Sequence, residues 1–116
     1  MSNFSIENKE GYSIVHMNAA RLDNQATAEL RSELVLLAGK GVKTMILDLT
    51  SCNYCDTAGL SAILIAHRLC KDGMLILVGV SGEVASMLSI QRFDPELVLE
   101  SSLPDAEEKI RTFLTA

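Results

Sequence analysis

The segment CNYCDTAGLSAIL, Cys52 through Leu64, gathers two thiols, a carboxylate, a hydroxyl and a glycine between the apolar run MILDL and a stretch of helical periodicity. Those residue types admit a metal site, a redox pair, a phosphate-bearing hydroxyl or an ordinary strand-to-helix turn. With His67 and Cys70 the thiols read C-x2-C-x11-H-x2-C, a spacing close to that of zinc sites. Helix geometry opposes it. LSAILIAHRL holds no breaker, so a helix from Thr57 to about Lys71 puts His67 about 15 Å along the axis, at about 1.5 Å per residue. Zinc ligands must converge to about 2.0–2.3 Å from one ion. A reactive Cys-x-x-Cys pair enters its helix, where the helix N-terminus lowers the thiol pKa. Here Cys52 and Cys55 both precede the cap position, and Cys55 is expected to pack inward at a strand end. Asp56 then reads as an N-cap, Thr57 and Ala58 as a first turn, and Gly59 as a point of close packing. That pattern fits a structural turn. It equally fits a phosphate position, with a hydroxyl beside free helix N–H groups, and spacing does not choose between the two.

The elements that must position this junction follow from periodicity. NFSIEN alternates, Glu10-Gly11 turns the chain, and YSIVHM follows as a second strand. Asn18 to Leu22 reads as a loop. Asp23 or Asn24 caps a helix running to about Gly39, whose Ala26, Leu30, Leu34 and Leu37 share one face. KTMILDLTS is a third strand, and its continuous apolar run from Met45 to Leu47 predicts burial on both faces. The second helix ends at Asp72-Gly73. MLILVGV is a strand, Ser81 reads as the cap of GEVASMLSIQ, and Pro95 blocks extension of that helix before the strand ELVLES. Pro104 opens a last helix, with Asp105, Glu107 and Glu108 near its positive end and a buried stripe of Ala106, Ile110, Phe113 and Leu114. The order β-β-α-β-α-β-α-β-α predicts an α/β fold with a mixed, mostly parallel sheet and about four helices. In such sheets the sites lie where strand ends enter helices, the position that SCNYCDTAG occupies.

Composition narrows the function classes. The 116 residues fit one domain, and 48% hydrophobic residues can fill its core with aliphatic side chains. The net charge of −5, without a basic cluster, argues against nucleic acid and is compatible with a protein partner that presents positive charge. No apolar run reaches the roughly 18 residues of a membrane span, so no membrane insertion is expected. MSNFSIENKEG lacks the basic-then-apolar order of a signal peptide. A reducing cytoplasm is therefore the expected location for the three thiols. No nucleophile–base pair or phosphate-binding glycine loop marks an enzyme, and no cofactor is implied. His16 reads as a satisfied or half-exposed strand residue. Arg68 reads as solvated, and Arg21 as facing a partner.

The segments ILDLTSCNYCDTAGLSAIL, ARLDNQATAEL and GVSGEVASML together resemble STAS domains, the family of anti-sigma factor antagonists, and the resemblance covers about Phe4 to Phe113. It implies a single STAS-like domain over residues 1–116. In that family the hydroxyl residue after the motif aspartate accepts a phosphate, a position held here by Thr57. Asp56 corresponds to the adjacent acid used in partner recognition and phosphorylation, and Asp23 to the first-loop acid near the same surface. Ala58, Gly59 and Leu60 continue the partner-binding stretch. Four positions depart from the family pattern. Thr57 stands where most switching members have serine, Ala58 replaces a second hydroxyl, and Ala20-Arg21 replaces a glycine-glutamate pair. The resemblance implies a non-enzymatic bacterial phosphoprotein of transcription regulation. Its partner would be of the histidine-kinase-like ATPase class, an anti-sigma factor or a Ser/Thr kinase, with binding switched at Thr57. The alternative within the family is an accessory subunit of a phospholipid-transport ABC system, which carries the same Asp-Thr-Ala-Gly-Leu and binds an ABC ATPase subunit without a phosphoswitch. A small redox or metal-binding α/β protein is the last alternative.

Overall fold

Two kinds of apolar pattern, short continuous runs in the central strands and a period of three to four in longer segments, build a layered α/β structure. The computed structural model describes residues 2–80, 82–91 and 97–116. In chain order the elements are β1 (Phe4–Asn8), β2 (Ser13–Met17), β3 (Arg21–Leu22), α1 (Asn24–Gly39), β4 (Thr44–Asp48), β5 (Tyr54–Cys55), α2 (Thr57–Leu69), β6 (Met74–Val78), α3 (Gly82–Gln91), β7 (Val98–Glu100) and α4 (Leu103–Thr115). Five strands form the main sheet in the order β1-β2-β4-β6-β7. β1 and β2 are antiparallel, and the remaining pairs are parallel. The sheet is thus mixed and mostly parallel, as the element order predicts.

Successive residues of the central strands point to opposite faces. Val15, Met45, Leu47, Leu75 and Leu77 join Leu30, Leu34 and Leu37 of α1, Ile63 of α2 and Val84 of α3 in the larger core. Ile14, Ile46, Ile76 and Val78 form a second core with Ala106 and Ile110 of α4. Burial of β4 on both faces follows directly. The predicted face of α1, Ala26, Leu30, Leu34 and Leu37, is buried in full.

Some boundaries move. Asp23, not Asn24, caps α1, and α2 stops at Leu69 with Cys70 as its C-cap. α4 begins one residue before Pro104, with Ser102 as its cap. Its buried stripe stops at Ile110. Phe113 and Leu114 are 38% and 42% exposed, because the last turn passes beyond the sheet; Leu114 lies over Gly11 in the β1–β2 turn. Asn18 to Leu22, expected as a loop, ends in β3, which pairs in parallel with β5. A two-residue strand carries no period of its own and exists because a distant segment pairs with it. The expected Ser81 cap and the Pro95 stop lie outside the described residues.

Candidate functional site

β3 and β5 bring two distant loops together. Arg21 pairs with Tyr54 and Leu22 with Cys55. The amide N–H of Asn53 donates to the carbonyl of Ala20 at 2.8 Å, and that of Asp56 to Leu22 at 3.3 Å. The next residue in each chain segment is an aspartate that caps a helix. Asp23 accepts from the Ala26 N–H at 3.2 Å and Asp56 from the Gly59 N–H at 2.9 Å. The two caps share nearly the same backbone, φ/ψ of −98°/−171° and −94°/−176°. One device is therefore used twice, side by side, and it sets the N-termini of α1 and α2 next to each other.

The family-like stretch divides into a surface and a foundation. Thr57 is the first residue of α2 and exposed, Ala58 and Asp56 are half-buried, and Gly59 and Leu60 are buried. A Cβ on Gly59 would sit 2.6 Å from the Leu22 carbonyl oxygen and 2.9 Å from Cys55 Sγ. No side chain fits there, so the glycine lets α2 lie directly against β3. Of the residues singled out from sequence, Asp23, Asp56, Thr57 and Ala58 meet at the surface, while Gly59 and Leu60 support them from beneath.

α3 supplies a further wall. A shallow groove of about 360 Å³ runs between Tyr54, Asp56 and Thr57 on one side and Glu83, Ser86 and Met87 on the other. Glu83, in the first turn of α3, adds a carboxylate to the rim that the sequence reading does not single out. Arg21 is exposed and places its guanidinium carbon 3.9 Å from the centre of the Tyr54 ring.

The loop entering β5 is pinned from below. Asp48 Oδ1, at the end of β4, accepts from the Thr50 N–H at 3.1 Å and the Thr50 hydroxyl at 2.6 Å. Its other oxygen meets His16 Nδ1 at 3.1 Å, and His16 Nε2 meets Glu7 at 2.7 Å. Burial opposes charge on Asp48, but the hydrogen bonds from Thr50 and His16 outweigh it and hold its pKa below the ordinary value. Burial likewise works against a charged His16, yet the bonds to Glu7 and Asp48 carry its pKa above the ordinary value. His16 is thus half-buried and satisfied, while Asp48, which sequence gave no reason to single out, anchors the loop. Gly79 completes the clamp: its φ is +72°, and a Cβ there would lie 2.7 Å from Thr50 Cα.

The thiols lie within the protein. Cys52, Cys55 and Cys70 are unpaired and buried. Burial pushes the Cys55 thiol up to about 12, Cys70 up to about 11, and Cys52 upward too. Cys70 caps the far end of α2 from Cys55. Among the described residues no group of three or more metal-ligating side chains assembles. No helix among them is long and apolar enough to cross a membrane.

The STAS domain family model matches residues 3–106. The chain belongs to the STAS domain family. No curated protein matches it in sequence, but solved STAS structures share its fold at low identity. RsbS from Moorella thermoacetica, in a serine-to-glutamate variant, is 19% identical with a TM-score of 0.82, over 99% of this chain and 100% of its own. The Bacillus cell fate determinant SpoIIAA in its phosphorylated form is 19% identical, with a TM-score of 0.75 over 93% of this chain and 99% of its own. A sulfate transporter family protein from Wolinella succinogenes is 19% identical, with a TM-score of 0.73 over 95% of this chain and 93% of its own. These likenesses show the STAS fold, with its mostly parallel sheet and four helices. Within that fold, Tyr54 and Glu83 reach the site through strand pairing and helix packing, and neither is marked by a local sequence signature.

Proposed function

We propose that this STAS domain is a cytoplasmic anti-sigma factor antagonist with no enzymatic activity of its own. It binds a histidine-kinase-like ATPase, an anti-sigma factor or a Ser/Thr kinase, through the surface made by the N-termini of α1 and α2. Asp23, Asp56, Thr57 and Ala58 make the contact, and Gly59 and Leu60 hold it in place. The observation that carries this reading is the exposed Thr57 at the first position of α2, next to the capping Asp56, while Asp23 caps the neighbouring helix α1. The likeness to anti-sigma factor antagonists, among them a phosphorylated one, supports it. Thr57 is the phosphoacceptor. Its phosphate adds about −1.5 to −2 charge at pH 7. A partner surface shaped for a small neutral hydroxyl beside carboxylates then meets a bulky dianion. A loss of about 3 kcal/mol lowers affinity more than a hundredfold, so binding switches without a change of fold.

The test compares wild type with Thr57→Ala, Thr57→Glu and Asp56→Ala in binding to the ATPase recovered from the native cell. Thr57→Ala keeps binding, whereas Thr57→Glu and Asp56→Ala weaken it at least tenfold, a difference of about 1.4 kcal/mol. Thermal melts separate this from the lost Asp56 cap, which costs about 1 kcal/mol. Incubation with the kinase and ATP adds one phosphate, on the Thr57 peptide. Wild-type binding by Thr57→Glu together with an unmodified Thr57 defeats the proposal. A second reading rests on Asp56-Thr57-Ala58-Gly59-Leu60, shared with phospholipid-transport subunits, and on the missing second hydroxyl at Ala58. Recovery of an ABC ATPase with unmodified Thr57 would replace the first reading with that one.

A further inference from the structure

We infer that Arg21 is the internal counter-cation for phosphorylated Thr57, closing onto the phosphate as a guanidinium clamp. This rests on Thr57 as the phosphoacceptor and names how the same site receives the charge.

Three observations carry it. First, the surroundings of Thr57 are acidic: Asp56 adjoins it, Glu83 faces it across the groove, and Asp23 caps the neighbouring helix. The N-terminus of α2 favours a dianion there and the carboxylates oppose it, and among the described residues no lysine or arginine lines that groove. Second, Arg21 stands at its border. The parallel register sets Arg21 opposite Tyr54, whose ring carries the guanidinium at 3.9 Å, and Tyr54 lines the same groove as Thr57. Tyr54 and Thr57 are three residues apart, at most about 11 Å of extended chain, and Arg21 lies one strand spacing of about 4.8 Å from Tyr54. Third, Arg21 is uncommitted. It is exposed and belongs to none of the ion pairs among the described residues. The nearby carboxylates of Asp23 and Asp56 are already occupied with helix N–H groups.

A guanidinium suits this task better than an ammonium. Its planar fork pairs with two phosphate oxygens at once, and it stacks on an aromatic face while it waits. Cation–π contact at an exposed site is weak, so a charge-assisted pair with a dianion displaces it. On phosphorylation the site would gain a phosphate and withdraw its bordering positive charge into an internal pair.

The experiment places phosphothreonine at position 57 of the full chain by genetic encoding, so no kinase is needed. Phosphorus NMR then reads the second phosphate ionisation in wild type, Arg21→Lys and Arg21→Gln. That ionisation lies near about 6 in a free phosphoresidue. The clamp lowers it by about one unit in wild type relative to Arg21→Gln, as an opposite charge in contact does, with Arg21→Lys between them. Equal values in wild type and Arg21→Gln overturn the clamp. In wild type alone the Arg21 Nε–H resonance must move on phosphorylation and Tyr54 ring-current shifts must fall. Unmoved resonances overturn the clamp even if a variant fails to fold. Because the phosphate is encoded, failure to find a kinase would sink the phosphoswitch and leave this result standing.

Discussion

Gly59 shows how a missing side chain sets where a helix lies against a strand. Its sequence position marks a close approach, and the structure identifies the neighbours: the Leu22 carbonyl, the Leu22 side chain and Cys55 Sγ. Gly59→Ala therefore pushes α2 off β3 and is expected to destabilise by about 1–3 kcal/mol, the range for overpacking. Urea titration measures it; a loss below about 0.5 kcal/mol would mean that backbone shift absorbs the methyl group. The thiols allow a second check. With Cys55 pushed to about 12 and Cys70 to about 11 by burial, native protein at pH 8 should react with a thiol reagent far more slowly than urea-unfolded protein, in which all three thiols titrate. Rapid native modification of Cys52 or Cys55 would revive the redox reading. Asp56 and Thr57 were legible because an N-cap has a local signature. Arg21 on Tyr54 and Glu83 across the groove were not, since each depends on pairing or packing between segments far apart in the chain.

Between elements, the Glu7–His16–Asp48 tie decides how firmly the site loops are held. It joins β1, β2 and β4, and Asp48 passes the restraint to Thr50 at the head of the loop leading to β5. The charged groups in this cluster are Glu7 and Asp48, with Lys9 at 4.0 Å from Glu7. A protonated imidazole donates to both carboxylates, whereas a neutral one has a single N–H and leaves one carboxylate facing a lone pair. His16 has its folded pKa raised, so its contribution is full below the unfolded value near about 6.5 and fades as pH rises through the folded value. Glu7 and Asp48 are shifted down, so their contribution holds above the unfolded values near about 4 and fades as pH falls through the folded ones. The tie is strongest between those limits, near about pH 5 to 6.5. The melting-temperature difference between wild type and His16→Gln should be largest there and shrink toward about pH 9. A difference that stays flat across that range would show that the imidazolium does not tie these strands. Strand β1 was readable from alternation, β2 from the Glu10-Gly11 turn before it, and β4 from its continuous apolar run. The tie was not, because His16 and Asp48 face each other only through the β2–β4 register.

The molecule as a whole builds two separate cores on the two faces of one sheet. Alternation along β4 and β6 sends Met45, Leu47, Leu75 and Leu77 toward α1 and α2, and Ile46, Ile76 and Val78 toward α4. That two-sided burial was legible in continuous apolar runs, while the length of α4 that reaches the sheet was not, because its amphipathic stripe continues past the point of contact. The family match ends at residue 106, yet Ile110, one turn further, is fully buried among the sheet residues. Ile110→Ala removes apolar volume from the smaller core, where few neighbours can close the cavity, and should cost about 2–5 kcal/mol. Val35→Ala, on the outer face of α1 at 67% exposure, should change stability by no more than about 0.5 kcal/mol. Urea unfolding of both variants makes the comparison, and an Ile110→Ala loss below about 1 kcal/mol would mean that α4 is an appendage. The Thr57 surface stands beside α1 and α3 on the opposite layer, pinned by β3, β5 and Gly59. Ile110→Ala protein that remains folded should therefore bind its partner as wild type does. Weakened binding by the folded variant would show that the second core reaches through the sheet to the site, and that the two faces act as one.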